Sequence, residues 1–176
     1  WWLIAIGVAS VLAGWLYTGG PKPYGYLGLG ELFVFVFFGL VATTGSAYVQ
    51  HGRLLGAAVA ASVPVGLLSV TLLESNNLRD VRGDAALGKR TLAVRVGADA
   101  ARWLYAGALA VSFATVGVVA WWRPWALLAL LALPLALRPL SIVAGGAEGR
   151  DLLPVLAATG RIQLVVGGLL TLGIVL

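Results

Sequence analysis

No cysteine occurs among the 176 residues. Disulfides and cysteine-ligated metals are therefore excluded, and the redox compartment is left open. Methionine is absent as well, and the first residue is Trp1. The chain is accordingly expected to be the C-terminal part of something longer, with 1–16 an internal helix. That stretch lacks the basic start and the cleavage site of a signal peptide. Charge is scarce: Asp, Glu, Lys and Arg make up 11% of the residues, against about 25% in a soluble domain. The alternation of apolar and polar residues that marks a membrane-spanning barrel is missing too.

What is present is apolar. Hydrophobic residues make up 60% of the chain and the mean hydropathy is +0.96. Several runs approach or exceed the ~20 residues that cross a bilayer as a helix. The fold class is therefore all-α, a multi-spanning transmembrane helical bundle. Six segments are predicted, at 1–16, 32–49, 54–73, 101–121, 125–143 and 153–176. The breaks at 50–53 and 122–124 are short enough for antiparallel hairpins. Those at 17–31, 74–100 and 144–152 are longer and polar.

If the six segments alternate in direction, the three long breaks share one side. That side takes Lys22, Arg79, Arg82, Lys89, Arg90, Arg95, Arg102, Arg138, Arg150 and Arg161, whereas the other takes Arg53 and Arg123. The positive-inside rule then puts the long loops in the cytoplasm of a multi-pass cell-membrane protein. The net charge of +5 reads as these loops, not as a nucleic-acid surface. All seven acids fall on the same side, although acids do not set topology. Trp122 and Trp125 suit the opposite interface, as does His51. Pro64 and Pro134 fall inside helices. Gly39, Gly45, Gly56, Gly66, Gly107 and Gly117 are expected to allow close helix contact.

One stretch breaks the pattern: "NNLRDVRGDAALGKRTLAVRVG", residues 76–97, gathers two aspartates and five basic residues. Asp80 and Asp84 lie one turn apart on one helix face. Two carboxylates so placed repel unless a positive charge joins them. Mg²⁺ is a natural candidate, because it takes oxygen ligands and binds through one or two carboxylates plus substrate phosphate. Asn76, a further turn back, could add an amide oxygen. Arg79, Arg82, Lys89 and Arg90 supply charge for a diphosphate. The same residues also read as a solvated loop with surface ion pairs, a topology signal, or an anionic-lipid contact.

This stretch resembles the second aspartate-rich motif of the UbiA superfamily of intramembrane aromatic prenyltransferases. "YTGGPKPYGYLGLGELFVFVFFG", residues 17–39, is similar to another loop of that family. Both match most closely the branch that prenylates 1,4-dihydroxy-2-naphthoate. The resemblance implies a nine-helix bundle with cytoplasmic caps over a cavity, the six segments here corresponding to helices four to nine. Residues 1–176 would then be one transmembrane prenyltransferase domain without the family's first aspartate-rich motif, inactive and of low stability alone. The implied reaction joins a polyprenyl diphosphate to 1,4-dihydroxy-2-naphthoate with loss of CO₂ and diphosphate.

By the same resemblance, Asp80 and Asp84 are Mg²⁺ ligands and the catalytic pair. Asn76, Asn77 and Arg79 bind substrate beside them. Tyr17 and Lys22 are diphosphate contacts, although relatives often place a lysine four residues after the tyrosine, where this chain has Pro21. Lys89 and Arg90 either close over the phosphate or anchor at the membrane surface. Tyr24 and Tyr26 line the cavity or sit at the interface. Glu31 reads as favouring a helix N-terminus, and Asp99 as a helix cap. Other aromatic acceptors, 4-hydroxybenzoate or homogentisate, are the alternative within the class. A transporter or scaffold is the alternative outside it.

Overall fold

The computed structural model describes residues 1–21 and 23–176. All six predicted segments are helical, and no strand occurs among the described residues. Helix α1 spans Trp2–Thr18, α2 Gly30–His51, α3 Gly56–Ala86, the short α4 Leu92–Val96, α5 Ala98–Ala120, α6 Pro124–Ala144 and α7 Gly149–Val175. Five of these, α2, α3, α5, α6 and α7, are long and apolar enough to cross a membrane. The chain is a multi-pass membrane protein. α1 has 17 residues, about 26 Å of helix against ~30 Å of hydrocarbon.

α3 is central and packs against α2, α5 and α7, while α6 packs on α5 and α7. The apolar repeat explains the choice of faces. Tyr105, Leu109, Ser112 and Val116 on α5, and Val155, Thr159, Ile162 and Val166 on α7, are fully buried at helical spacing. Tyr105 Oη lies 2.8 Å from Thr159 Oγ1 and joins those two helices in the core.

Small residues set the α2–α3 crossing. A Cβ on Gly39 would stand 2.6 Å from Gly66 Cα and 2.9 Å from the Ser62 carbonyl oxygen. Along this contact Phe35–Thr44 winds in wider π-type turns. Gly56 is likewise covered, by the Trp122 indole. Gly45, Gly107 and Gly117 have open space where a Cβ would go. Their expected role in helix contact is therefore not seen.

The largest departure from the sequence reading concerns 74–100. Its first thirteen residues continue α3, which reaches 31 residues, or about 46 Å. The core face persists through the charged stretch: Thr71, Glu74, Ser75 and Leu78 are all buried. α3 ends where Gly88 takes φ +73°. Gly88 N–H donates to the Ala85 carbonyl at 3.1 Å, and Lys89 N–H to the Asp84 carbonyl at 2.9 Å. This Schellman pair satisfies the last carbonyls and folds the chain back over Asp84.

The three long connections converge at one end. Arg82 pairs with Glu148, and Glu148 also meets Arg102 at 3.6 Å. Arg102 in turn holds Asp99. The ends of α3 and α5 and the α6–α7 connection are thereby tied. These pairs give the gathered acids a structural reason, and Asp99 acts as an ion partner with no cap hydrogen bond.

Candidate active site

The site is built on the protruding end of α3. Arg79 grips Asp80 with two parallel hydrogen bonds, Nε to Oδ1 at 2.7 Å and Nη2 to Oδ2 at 2.6 Å. Such forks are favoured by guanidinium geometry. One turn on, Asp84 is buried, and its Oδ1 lies 3.1 Å from Lys89 Nζ. Each aspartate thus carries its own cation. Lys89 Nζ also stands 5.2 Å from the centre of the Tyr26 ring, within cation–π range. Asp84 holds the Lys89 ammonium above its ordinary range, chiefly through their hydrogen bond.

The two loops that carry the family resemblance meet here. Arg90 N–H donates to the Tyr26 carbonyl at 3.2 Å, and Arg95 Nε to the Arg90 carbonyl at 2.9 Å. Gly28, at φ +74°, leaves room for the Arg95 side chain, which a Cβ would approach to 2.7 Å. The Arg90 side chain itself is exposed. Lys22 lies outside the described residues.

Below this cluster run two clefts of about 530 Å³ each, both bounded by Val34, Phe38 and Leu73. The first is aromatic. Tyr17, Tyr24, Phe33 and Phe37 line it, with Tyr24 stacked on Phe33 at 3.9 Å. Tyr24 Oη donates to the Ala13 carbonyl at 2.8 Å, and burial raises its phenol pKa. Tyr17 is held against Tyr24 at 5.5 Å. Of the two readings for the loop tyrosines, Tyr24 is a cleft residue, and Tyr26 faces Lys89. The second cleft is lined by Asn76, Ser69 and Gln163, the last two hydrogen-bonded at 3.1 Å. Asp80 and Asp84 line neither cleft; Asn76 and Tyr17 reach in from the charged end.

Asn77 is placed differently from Asn76. It is buried, and its Nδ2 donates to Glu31 Oε1 at 2.8 Å. Glu31 is therefore more than a helix-start residue: it is a buried anchor between α2 and α3. Glu74, 1% exposed, lies beside it, carboxyl against carboxyl, and no other side chain or backbone N–H donates to either of its oxygens among the described residues. The sequence reading passed over Glu74 as part of a polar break. The available signal was its spacing, since Glu74, Asn77 and Leu78 continue the buried face at i, i+3 and i+4.

A charge-balanced cluster thus sits above two clefts, one of them aromatic, at one end of a helical membrane bundle. The chain belongs to the UbiA prenyltransferase family, which matches over residues 1–145. It is 49% identical to the 1,4-dihydroxy-2-naphthoate octaprenyltransferase of Mycobacterium tuberculosis, over 93% of this chain and 56% of the relative. It is 37% identical to the enzyme of the same name from Escherichia coli, over 98% of this chain and 57% of the relative. The corresponding Bacillus subtilis protein is 31% identical, over 100% of this chain and 58% of its own length. The chain thus spans a little over half the length of these curated relatives. No solved structure matches it significantly.

Proposed function

We propose that this chain forms part of a prenyltransferase that joins a polyprenyl diphosphate to 1,4-dihydroxy-2-naphthoate. CO₂ and diphosphate are released, and the product is demethylmenaquinol, the two-electron-reduced form of demethylmenaquinone. The names of the relatives support donor and acceptor. One observation carries the reading for this chain: the Asp80–Asp84 cluster is closed by Lys89 and Tyr26 above an aromatic cleft that Tyr17 enters and a second cleft that Asn76 enters.

Asp80 and Asp84 offer the oxygen ligands that a divalent cation takes. With no group of three or more His, Asp or Glu side chains gathered among the described residues, the rest of its shell would come from the diphosphate. Two carboxylates stand one turn apart, and each is neutralised by a long side chain that a diphosphate could draw away. Asp80 and Asp84 would hold Mg²⁺ against the diphosphate, and the ion when bound supplies charge screening at the leaving group. Arg79 and Lys89 are the cations within reach of phosphate oxygens, with Arg90 exposed beside them. Lys22 remains a further diphosphate contact in this proposal, as does Tyr17. Asn76 orients substrate from the second cleft, while Asn77 positions α3 through Glu31.

The allylic C–O bond breaks and its electron pair leaves with the diphosphate. Positive charge develops on the allylic carbon, and the faces of Tyr24 and Phe33 offer it a negative quadrupole. The naphthoate ring carbon attacks, and loss of its carboxyl group as CO₂ returns the electron pair to the ring. The prenyl tail is apolar, so the Phe33–Phe38 cleft can take it from lipid without exposing it to water. The basic end faces the cytoplasm of the cell membrane on the positive-inside argument.

This chain's sequence holds one acidic motif of the two that the family mechanism uses, so the test uses the full-length protein. Radiolabelled prenyl diphosphate is offered with 1,4-dihydroxy-2-naphthoate, 4-hydroxybenzoate or homogentisate, with and without Mg²⁺. Prenylation of the naphthoate alone, abolished by chelator and by Asp80→Ala, is expected. Turnover of 4-hydroxybenzoate or homogentisate in place of the naphthoate overturns the acceptor. Undiminished transfer by Asp80→Ala overturns the metal assignment.

A further inference from the structure

We propose that the groove between α6 and α7 is a binding site for an anionic phospholipid, whose phosphate is held between Arg138 and Arg161. The two arginines line one cleft of about 380 Å³. The rest of that cleft is apolar, with Pro134, Leu135, Ile142 and Ala157 among its walls, and no carboxylate lines it. Both arginines are exposed. Arg79, Arg82, Lys89 and Arg102 each meet a carboxylate, whereas Arg53, Arg90, Arg95, Arg123 and Arg150 meet none among the described residues. Among the described residues, neither Arg138 nor Arg161 meets one either. What sets Arg138 and Arg161 apart is that they share one apolar cleft.

Their depth turns this into a specific requirement. Arg138 lies six residues before the end of α6 at Ala144, and Arg161 twelve after the start of α7 at Gly149. At about 1.5 Å per residue, they sit roughly 9 and 18 Å below the charged end. A guanidinium on a bilayer-facing helix is stable there only if an anion meets it or it snorkels to the headgroups. Arg161, snorkelling toward the charged end by the length of its side chain, comes toward the level of Arg138, so that one lipid phosphate in their shared cleft could meet both. Leu137 and Leu164 are 69% and 78% exposed on the same two helices and give the acyl chains an apolar surface. The occupant is thus set by charge complementarity below and apolar contact around it.

The test uses the full-length protein in detergent with equal amounts of phosphatidylglycerol and phosphatidylcholine, bound lipid being counted by native mass spectrometry. Retention of phosphatidylglycerol is expected to exceed that of phosphatidylcholine by roughly five-fold for each arginine. Arg138→Gln with Arg161→Gln should bring the ratio to parity, whereas Arg82→Gln should leave it unchanged. If the double variant does not fold, each single variant should lower the ratio. Equal retention of the two lipids by the unaltered protein overturns the proposal, as it would if another segment of the full-length chain covered the groove. Preference surviving loss of the arginines, or phosphatidylglycerol displaced by millimolar inorganic phosphate, also overturns it.

Discussion

Lys89 Nζ lies 3.1 Å from Asp84 Oδ1, five residues back along the chain. The contact exists because α3 ends in a Schellman turn, which reverses the backbone so that Lys89 returns over Asp84. A flexible cation held this way is poised to exchange a carboxylate for a diphosphate. Lys89→Ala is expected to raise the KM for prenyl diphosphate by roughly ten- to hundred-fold, the scale of one charge-assisted hydrogen bond. Steady-state kinetics of the full-length enzyme check this, and an unchanged KM would assign Lys89 to the membrane surface instead.

The pH dependence of the pair has a definite sign. Asp84 holds the Lys89 ammonium above its ordinary value of 10.5. A lysine whose pKa rises on folding adds stability that is full below its unfolded pKa and lost as pH climbs through the folded one. The difference in thermal midpoint between the protein and Lys89→Ala should therefore stay flat across roughly pH 6 to 9 and shrink only above about 10.5. Thermal unfolding in detergent at several pH values measures it. A difference that falls between pH 6 and 8 would show that another group titrates there.

Activity and stability should separate at Asp80. Its carboxylate is part exposed and paired with the adjacent Arg79, and exposed pairs of this kind contribute under ~1 kcal/mol. Asp80→Ala should accordingly shift the unfolding midpoint little. If Asp80 holds the metal, transfer should fall roughly a hundred-fold or more, since bound metal ions supply several kcal/mol to such reactions. A large drop in the midpoint together with lost activity would make Asp80 a structural residue.

Much of this arrangement was legible in the sequence, for identifiable reasons. Apolar runs set the helices because each must bury its backbone in lipid, and all six segments proved helical. The spacing of Asp80 and Asp84 placed them one turn apart, and both lie on α3, whereas the Gly88 turn that fixes Lys89 was not read from the sequence. What stayed hidden depended on long-range packing. Nothing local says that Asn77 reaches Glu31, 46 residues away, or that Arg90 N–H meets the Tyr26 carbonyl. Polarity also misled at 74–86, where charge was read as loop although the buried face kept its helical spacing. Gly107 and Gly117 misled in the opposite direction, since a glycine shows only that close contact is possible.

Asn77 is expected to be a structural residue, unlike Asn76. Asn77→Ala removes the donor to Glu31 and leaves a buried carboxyl oxygen unpaired, which costs about 1–3 kcal/mol. The unfolding midpoint should drop accordingly, with KM little altered. Asn76→Ala should do the reverse, because Asn76 faces a cleft and makes no hydrogen bond across helices among the described residues. Parallel melts and kinetics on the two variants decide the assignment.

The two glycine classes give the sharpest test of the packing. At Gly39 an added methyl meets the backbone of α3, at 2.6 Å from Gly66 Cα and 2.9 Å from the Ser62 carbonyl. Backbone cannot move aside as a side-chain tip can, so α2 and α3 must separate. Gly39→Ala is expected to destabilise by about 1–3 kcal/mol or more. At Gly107 a methyl meets nothing within 4 Å, and alanine favours the helix by up to about 1 kcal/mol. Gly107→Ala should therefore hold or raise the unfolding midpoint. Because the crossing at Gly39 also fixes Phe37 and Phe38 on the cleft walls, Gly39→Ala should weaken prenyl-diphosphate binding as well, while Gly107→Ala leaves it unchanged. If both variants melt and bind alike, the close α2–α3 contact is not what shapes the cleft.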